Sequence, residues 1–251
     1  MIDSHIHSDS RSVEDFNKMV NYGIDTAITC AYYPTNISKH EVLLNHFHRL
    51  QTTEIERCQK NGLKLYVAIG IHPRNMISNH NYILDQISTL LENKNTIAIG
   101  EIGLEKASSE EQDIFKKQVQ MADEIGTNII VHTPRKNKKK ISKITKKILD
   151  ENINPKQVII EHITNEIISD FIDTQYHLGL TVQPEKLSPS DAVEIIKKYG
   201  SNRILLNSDS SFSPSDILAV AKTEHQLKLA NIKEKDIINV TTENAKKFYK
   251  I

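Results

Sequence analysis

Met1-Ile-Asp-Ser-His-Ile-His7 opens the chain. A short apolar stretch running straight into histidine and serine reads as a buried strand with a polar end. A doubly wound open sheet, in its dinucleotide-binding form, would need a glycine-rich turn at this place. Here the strand leads to His5, His7 and serines instead. The same pattern returns along the chain, with candidate strands at residues 1–5, 26–30, 64–69, 96–100, 128–131, 158–161, 178–182 and 203–207. They are short, mostly continuous and rich in Ile, Val and Leu, as expected of strands buried on both faces of a parallel sheet.

The segments between them have helical period. Val13, Phe16, Met19 and Val20 share a face, after a capping-box-like start at Ser12 and Asp15. Ile83, Ile87, Leu90 and Leu91 repeat the spacing before the fourth strand. Phe115, Val119, Ala122 and Ile125 line one side of a helix that Gly126 ends. The lysine-rich segment after Arg135 keeps the same rhythm, and one or two short helices past Asn231 end in Phe248 and Tyr249. Eight strand–helix units in 251 residues is the count for an α/β protein folded as one (β/α)8 TIM barrel over residues 1–251. No internal repeat, low-complexity linker or shift of composition marks a second domain.

Lys plus Arg and Asp plus Glu number 32 each, so no global charge draws the chain to nucleic acid or to an anionic membrane. The two cysteines, Cys30 and Cys58, form neither a CxxC pair nor a disulfide framework, which fits a reducing cytoplasm. Glu14, Asp15 and Lys18 follow too soon for the apolar core of a signal peptide, and no apolar run approaches the roughly 20 residues that span a bilayer. The expectation is a cytoplasmic protein with no membrane partner.

On this frame the polar residues fall at strand ends. His5 and His7 end the first strand, His72 follows the third and Glu101 ends the fourth. His132 ends the fifth, His162 follows the sixth and Asp209 follows the eighth. In a parallel barrel all these ends converge on one mouth, where active sites lie. His5 and His7, two apart on a strand, face the same side. His72 taken alone reads equally well as a hydrogen-bonded structural residue. The remaining four histidines and two carboxylates resist explanation as core packing, because buried Glu and Asp are rare unless paired or bound to a cation. Imidazoles and carboxylates without thiolates suit zinc, manganese, iron or nickel. The set exceeds the roughly three protein ligands of one catalytic zinc and suffices for two divalent ions sharing a carboxylate, about 3.5–4 Å apart. Such sites lower the pKa of water from about 15.7 to roughly 7.

These residues resemble the TatD family of metal-dependent hydrolases, within the amidohydrolase-like barrels. The resemblance runs through Asp3-Ser-His5-Ile-His7, Gly70-Ile-His-Pro73, Gly100-Glu-Ile-Gly-Leu104, the helix bearing Gln112, Phe115, Gln118 and Ala122, then Val131-His132, Ser208-Asp209-Ser210 and Thr242-Glu-Asn-Ala-Lys-Lys-Phe248. It implies two divalent ions (zinc, manganese or magnesium). His5, His7, Glu101 and Asp209 would hold one; Glu101, His132 and His162 would hold the other, with Glu101 bridging. It also implies 3′-to-5′ deoxyribonuclease or related phosphodiesterase activity on nucleic-acid or nucleotide substrates. Asp209 would be the general base, and His72 and Arg135 would bind a substrate phosphate. The chain departs from the family pattern at His132-Thr-Pro-Arg135, one residue longer than usual, at Asn207-Ser-Asp209, and at Glu161-His162-Ile-Thr-Asn165, which lacks the usual glycine. These departures mark a divergent subgroup. Two other readings stand beside the phosphodiesterase: an amide, lactone or cyclic-imide hydrolase on the same barrel, and a non-catalytic metal- or nucleic-acid-binding protein.

The basic run Arg135, Lys136, Lys138, Lys139, Lys140, Lys143, Lys146 and Lys147 begins beside the expected mouth. It reads either as a nucleic-acid track or, more commonly for such runs, as a solvated helix face. Ile141, Ile144 and Ile148 turn inward at helical spacing, which sends the lysines outward. Asp3 is expected to orient the site by hydrogen bonding. His46 and His48 read as surface residues, Cys30 as a small buried hydrophobe, and Tyr32-Tyr33-Pro34 as a loop near the mouth.

Overall fold

The computed structural model describes residues 1–37, 39–77 and 80–251. Eight strands pair in sequence order, all parallel: β1 (Ile2–Ile6), β2 (Thr26–Cys30), β3 (Lys64–Ile69), β4 (Thr96–Gly103), β5 (Asn128–His132), β6 (Val158–Ile160), β7 (His177–Thr181) and β8 (Ile204–Asn207). A seam between the first strand and the segment after the last closes the sheet. Asp209 N donates to His5 O at 2.9 Å, His7 N donates to Ser210 O at 2.9 Å, and Ile6 bridges Ser210 in parallel. The result is a single-domain (β/α)8 barrel.

Parallel neighbours need long crossovers, and helices supply them. They are α1 (Val13–Asn21), α2 (His40–Arg49), α3 (Ile55–Gln59), α4 (His80–Leu90), α5 (Ser109–Ile125), α6 (Lys138–Asn152), α7 (Ile168–Phe171) and α8 (Pro189–Tyr199). After β8 come α9 (Ala219–Leu229), α10 (Glu234–Ile238) and α11 (Asn244–Tyr249). Single π turns, Leu50–Glu54 and Asn239–Glu243, join α2 to α3 and α10 to α11. The starts follow local chemistry. Ser12 and Asp15 form the expected capping box of α1, and Ser188 and Asp191 form another at α8, where Pro189 takes the first helical position. Gly126 ends α5 in the left-handed region at φ 75°, where glycine carries no Cβ penalty.

Strand side chains sort by parity. Val67, Ile69, Ile99, Ile129, Val131, Leu178 and Leu206 join the large cluster between sheet and helices. Tyr66, Ala68, Ala98, Ile130, Ile159 and Leu205 form a separate cluster inside the barrel, together with Phe248 and Tyr249 of α11. The last helix therefore plugs the end of the barrel opposite the mouth. Asn128 Nδ2 anchors it by donating to Phe248 O at 2.6 Å.

Three expectations need correction. Glu101 does not end its strand: β4 continues to Gly103, with a register shift against β5 between Ile99 and Ile102. Such an irregularity re-aims side chains, and here the affected stretch contains Glu101. Ile125 is exposed; Ile114 and Gln118 complete the buried face of α5 instead. His46 is buried against Asp9 and the Tyr33 ring, while His48 is exposed as expected. Among the described residues no helix is long and apolar enough to cross a membrane.

Candidate metal centre

The strand-end residues converge. His5 and His7 come from β1 and the residue beyond it, Glu101 from β4, His132 from the last position of β5, His162 from just past β6 and Asp209 from just past β8. All six are buried. His162 and Asp209 have left-handed backbones, φ 59° and 45°, a conformation in which His and Asp are enriched among non-glycine residues.

Glu101 is the hub. Its Oε1 lies 2.8 Å from His132 Nδ1 and 2.9 Å from His162 Nε2. Its Oε2 lies 3.5 Å from both His5 Nε2 and His72 Nε2. Asp209 Oδ1 stands 3.1 Å from His7 Nε2 and 3.7 Å from His5 Nε2. Burial alone would raise the Glu101 carboxyl; the His5 and His132 charges and the hydrogen bonds from His132 and His162 override it and hold it well below the usual range. For Asp209, burial again pushes up, and Lys186, His7 and His162 bring it well below the ordinary value.

Each of the four histidines turns one nitrogen to Glu101 or Asp209 and the other to a neighbour outside that pair. His7 Nδ1 donates to Cys30 O at 2.9 Å. His132 Nε2 meets Glu105 Oε2 at 3.0 Å, and Arg74 braces that carboxylate through its other oxygen at 2.8 Å. His162 Nδ1 meets Thr181 Oγ1 at 2.8 Å. His5 Nδ1 faces Glu161 Oε1 at 3.8 Å. Histidines that bind metals are held in this way, with the outer N–H on a carboxylate, carbonyl or hydroxyl. His72 differs. Its Nδ1 accepts the backbone N–H of Arg74 at 3.0 Å, and burial drives its pKa well below the usual value. The neutral ring therefore carries its proton on Nε2, the nitrogen that faces Glu101 Oε2 at 3.5 Å.

The donor set fits divalent cations. Two groups, His5–His7–Glu101 and His72–Glu101–His132, bring their ligand atoms within 4.8 Å of one another; the proton on His72 Nε2 counts against the second as drawn. The His5 ring is fully buried, yet neither of its nitrogens has a hydrogen-bond partner among the described residues. Its spacings to Glu101 and Asp209 are too long for hydrogen bonds. They are close to the roughly 3.3 Å that separates ligand atoms around a tetrahedral zinc with bonds of about 2.0–2.1 Å. Cys30 is buried, and burial pushes its thiol up to about 11.

A cavity of about 440 Å³ opens above the hub, bordered by Tyr32, Phe212, Arg135, Lys138 and Lys186. Tyr32 and Phe212 stack at 6.0 Å between centroids. Arg135 is exposed and pairs with Glu185 at 2.7 Å across the mouth. Lys138 does not point outward as the helical spacing predicts. It is buried, and its ammonium donates to Thr133 Oγ1 at 2.7 Å and to the carbonyls of Thr133 and Pro134. Burial, then the charge of Lys186, lower its pKa to about 7. Of the rest of the run, Lys136, Lys139, Lys140, Lys143 and Lys147 are exposed and Lys146 is half-buried. Asp3 holds backbone and not a ring: its Oδ1 accepts from Ser208 N at 3.0 Å and tethers β1 to the end of β8.

Sequence reasoning missed Glu105, Glu161 and Lys186. Lys186 lies in the loop after β7; it forms an ion pair with Asp209, and its Nζ stands 3.2 Å from His162 Nδ1. The only signal for these residues was position, a polar residue at or shortly after a strand end, and many loop residues share it.

Histidines and carboxylates gathered at the C-terminal mouth of a (β/α)8 barrel define a metal-dependent hydrolase of the amidohydrolase-like class. Within that class, the chain belongs to the TatD related DNase family, which it matches over residues 2–250. An uncharacterized metal-dependent hydrolase of Methanocaldococcus jannaschii is 40% identical over 253 residues, covering 100% of both chains. The crystal structure of a TatD-like protein from Archaeoglobus fulgidus covers 100% of both chains with a TM-score of 0.86 and 30% identity. The phosphotriesterase homology protein of Escherichia coli, crystallised with phosphate in its active site, has the same fold at 13% identity, with a TM-score of 0.73 over 99% of this chain and 98% of that one.

Proposed function

We propose that this protein is a two-metal phosphodiesterase acting on nucleic-acid or nucleotide phosphodiesters. The observation that carries the reading is the sharing of one carboxylate: Glu101 presents Oε1 to His132 and His162 and Oε2 to His5. In the proposed centre His5, His7, Asp209 and Glu101 would hold one divalent ion, and His132, His162 and Glu101 would hold the other. When bound, the ions supply Lewis acidity and make water nucleophilic near neutral pH. The chain supplies the rest. Asp209, kept ionised by its cationic neighbours, orients the attacking water and takes its proton. His72 offers an Nε2–H donor beside Glu101. Lys186, whose ammonium balances Asp209 in this structure, turns to the substrate phosphate, and Arg135 receives the same anion at the rim. Tyr32 and Phe212 give a flanking base a stacking surface.

The purified protein is expected to bind about two divalent ions and, reconstituted with manganese, zinc or magnesium, to hydrolyse a generic phosphodiester. Asp209→Asn should lower the rate on the order of 10²–10⁴-fold; full activity in that variant would remove Asp209 from its role. Lactone and amide substrates belong in the same screen. Turnover of those with none of the phosphodiester would move the assignment to the other bond. Salt-sensitive DNA binding without turnover of any substrate would make the protein a binder.

A further inference from the structure

Glu161 has no place in the chemistry above, yet it is completely buried inside the barrel, beneath His5. Its surroundings are built around the carboxylate. Asn207 Nδ2 donates to Oε2 at 2.7 Å. Across the sheet, Gly179 leaves the space the carboxylate occupies, since a Cβ there would come within 2.0 Å of Oε2. The other oxygen, Oε1, has no hydrogen-bond partner among the described residues, and neither has the nitrogen it faces, His5 Nδ1, 3.8 Å away. Two fully buried polar atoms of complementary kind thus confront each other at slightly more than hydrogen-bond length. Buried polar groups are nearly always paired. A small rotation of the imidazole completes an N–H···O bond.

We infer that Glu161 is a positioning residue that fixes the proton of His5 on Nδ1 and so frees Nε2 to bind a cation. The inference rests on the reading of His5 as a metal ligand. It explains why His5 needs a carboxylate where His7 is content with a backbone carbonyl. The Nε2 of His5 is the only imidazole nitrogen lying within 4 Å of both Glu101 and Asp209 among the described residues. Its lone pair must therefore stay available between two carboxylates, either of which would otherwise attract a proton to that nitrogen. A carboxylate on the far side accepts a proton from Nδ1 and cannot donate one, so it permits a single neutral tautomer.

Glu161→Gln separates this role from packing. Glutamine has the same size and can still accept from Asn207, but its amide then donates to His5 Nδ1, which drives the proton to Nε2 and blocks the ligand. Divalent-ion affinity, measured by titration with zinc or manganese, should fall about 10–100-fold, while the thermal midpoint stays close to that of the parent. Glu161→Ala should lose stability as well. Glu161→Asp, which keeps an acceptor, should retain more affinity than the glutamine variant. In the metal-free protein, at a pH high enough to leave the His5 ring neutral, its ¹⁵N signals, assigned by their loss in His5→Asn, should show the proton on Nδ1 in the parent and on Nε2 in Glu161→Gln. Unchanged affinity together with unchanged ring signals in Glu161→Gln overturns the inference. A parent protein that binds no divalent ion at all would instead overturn the metal centre, and the ring signals would still decide the pairing of Glu161 with His5.

Discussion

His72 and His132 face the same carboxylate, and proton placement separates their roles. The backbone N–H of Arg74 fills His72 Nδ1, so Nε2 is protonated and repels a cation. His132 has carboxylates on both sides and can give up either proton. His72→Gln should therefore keep the full metal content by elemental analysis while lowering phosphodiester turnover, whereas His132→Gln should lose metal. Loss of an ion in His72→Gln would make His72 a ligand. A second histidine sets a pH limit on stability. Burial, with Arg203 and Lys247 nearby, lowers His177 to about 4, and its Nδ1 is buried without a partner among the described residues. Its folded pKa lies below the unfolded value of about 6.5, so the ring stays neutral in the fold and its contribution is complete above pH 6.5. That contribution is lost as pH falls from 6.5 toward 4. Thermal midpoints should drop over this window in the parent and drop less in His177→Gln. At this scale the sequence disclosed its metal-type residues because chemistry and strand-end position coincide in them. Glu161 stayed hidden beside His162 because nothing in a linear pattern says which of two adjacent polar residues faces its neighbour across the barrel.

Helix α6 shows how far periodicity reaches. Of the apolar spacing Ile141, Ile144 and Ile148, only Ile141 is fully buried; Ile144 and Ile148 flank a buried face completed by Ser142, Thr145 and Leu149, and Lys138 falls on that face as well. The missing information is the loop before it: Asn137 adopts a left-handed conformation at φ 52°, and the free carbonyls of Thr133 and Pro134 converge on the first helical side chain. The ammonium thus caps a turn and does not extend a basic track. Lys138→Met should strip those acceptors of their donor and destabilise the fold by about 1–3 kcal/mol in urea unfolding, with little change in the salt dependence of any nucleic-acid binding. Equal stability in the variant would contradict the capping role. Strand β4 makes a related point. Its apolar run was legible through Gly100, but the strand continues through Glu101 to Gly103, because a glutamate inside a strand is affordable only where something cationic receives it.

Across the whole molecule, α11 does for one end of the barrel what the cavity does for the other. Phe248 is buried, packs 4.5 Å from the His177 ring and completes the interior cluster. Phe248→Ala should cost about 3–5 kcal/mol in urea unfolding, far more than truncation at a partly exposed helix position such as Ile144. A small loss would mean that the interior is closed by something else. The alternation of strands and helices made the eightfold architecture readable without a structure. The plug was not readable, because Phe248 and Tyr249 look like any amphipathic end until the barrel supplies a floor for them. The seam bears on synthesis. His7 and Asp209 are 202 residues apart in the chain and in contact in the fold. At about 5–20 residues per second, roughly 10–40 s separate their emergence from a ribosome. Throughout that interval the sheet has two open edges and an incomplete ligand set, so a hydrolase built on this plan cannot assemble its centre until nearly the whole chain has been made.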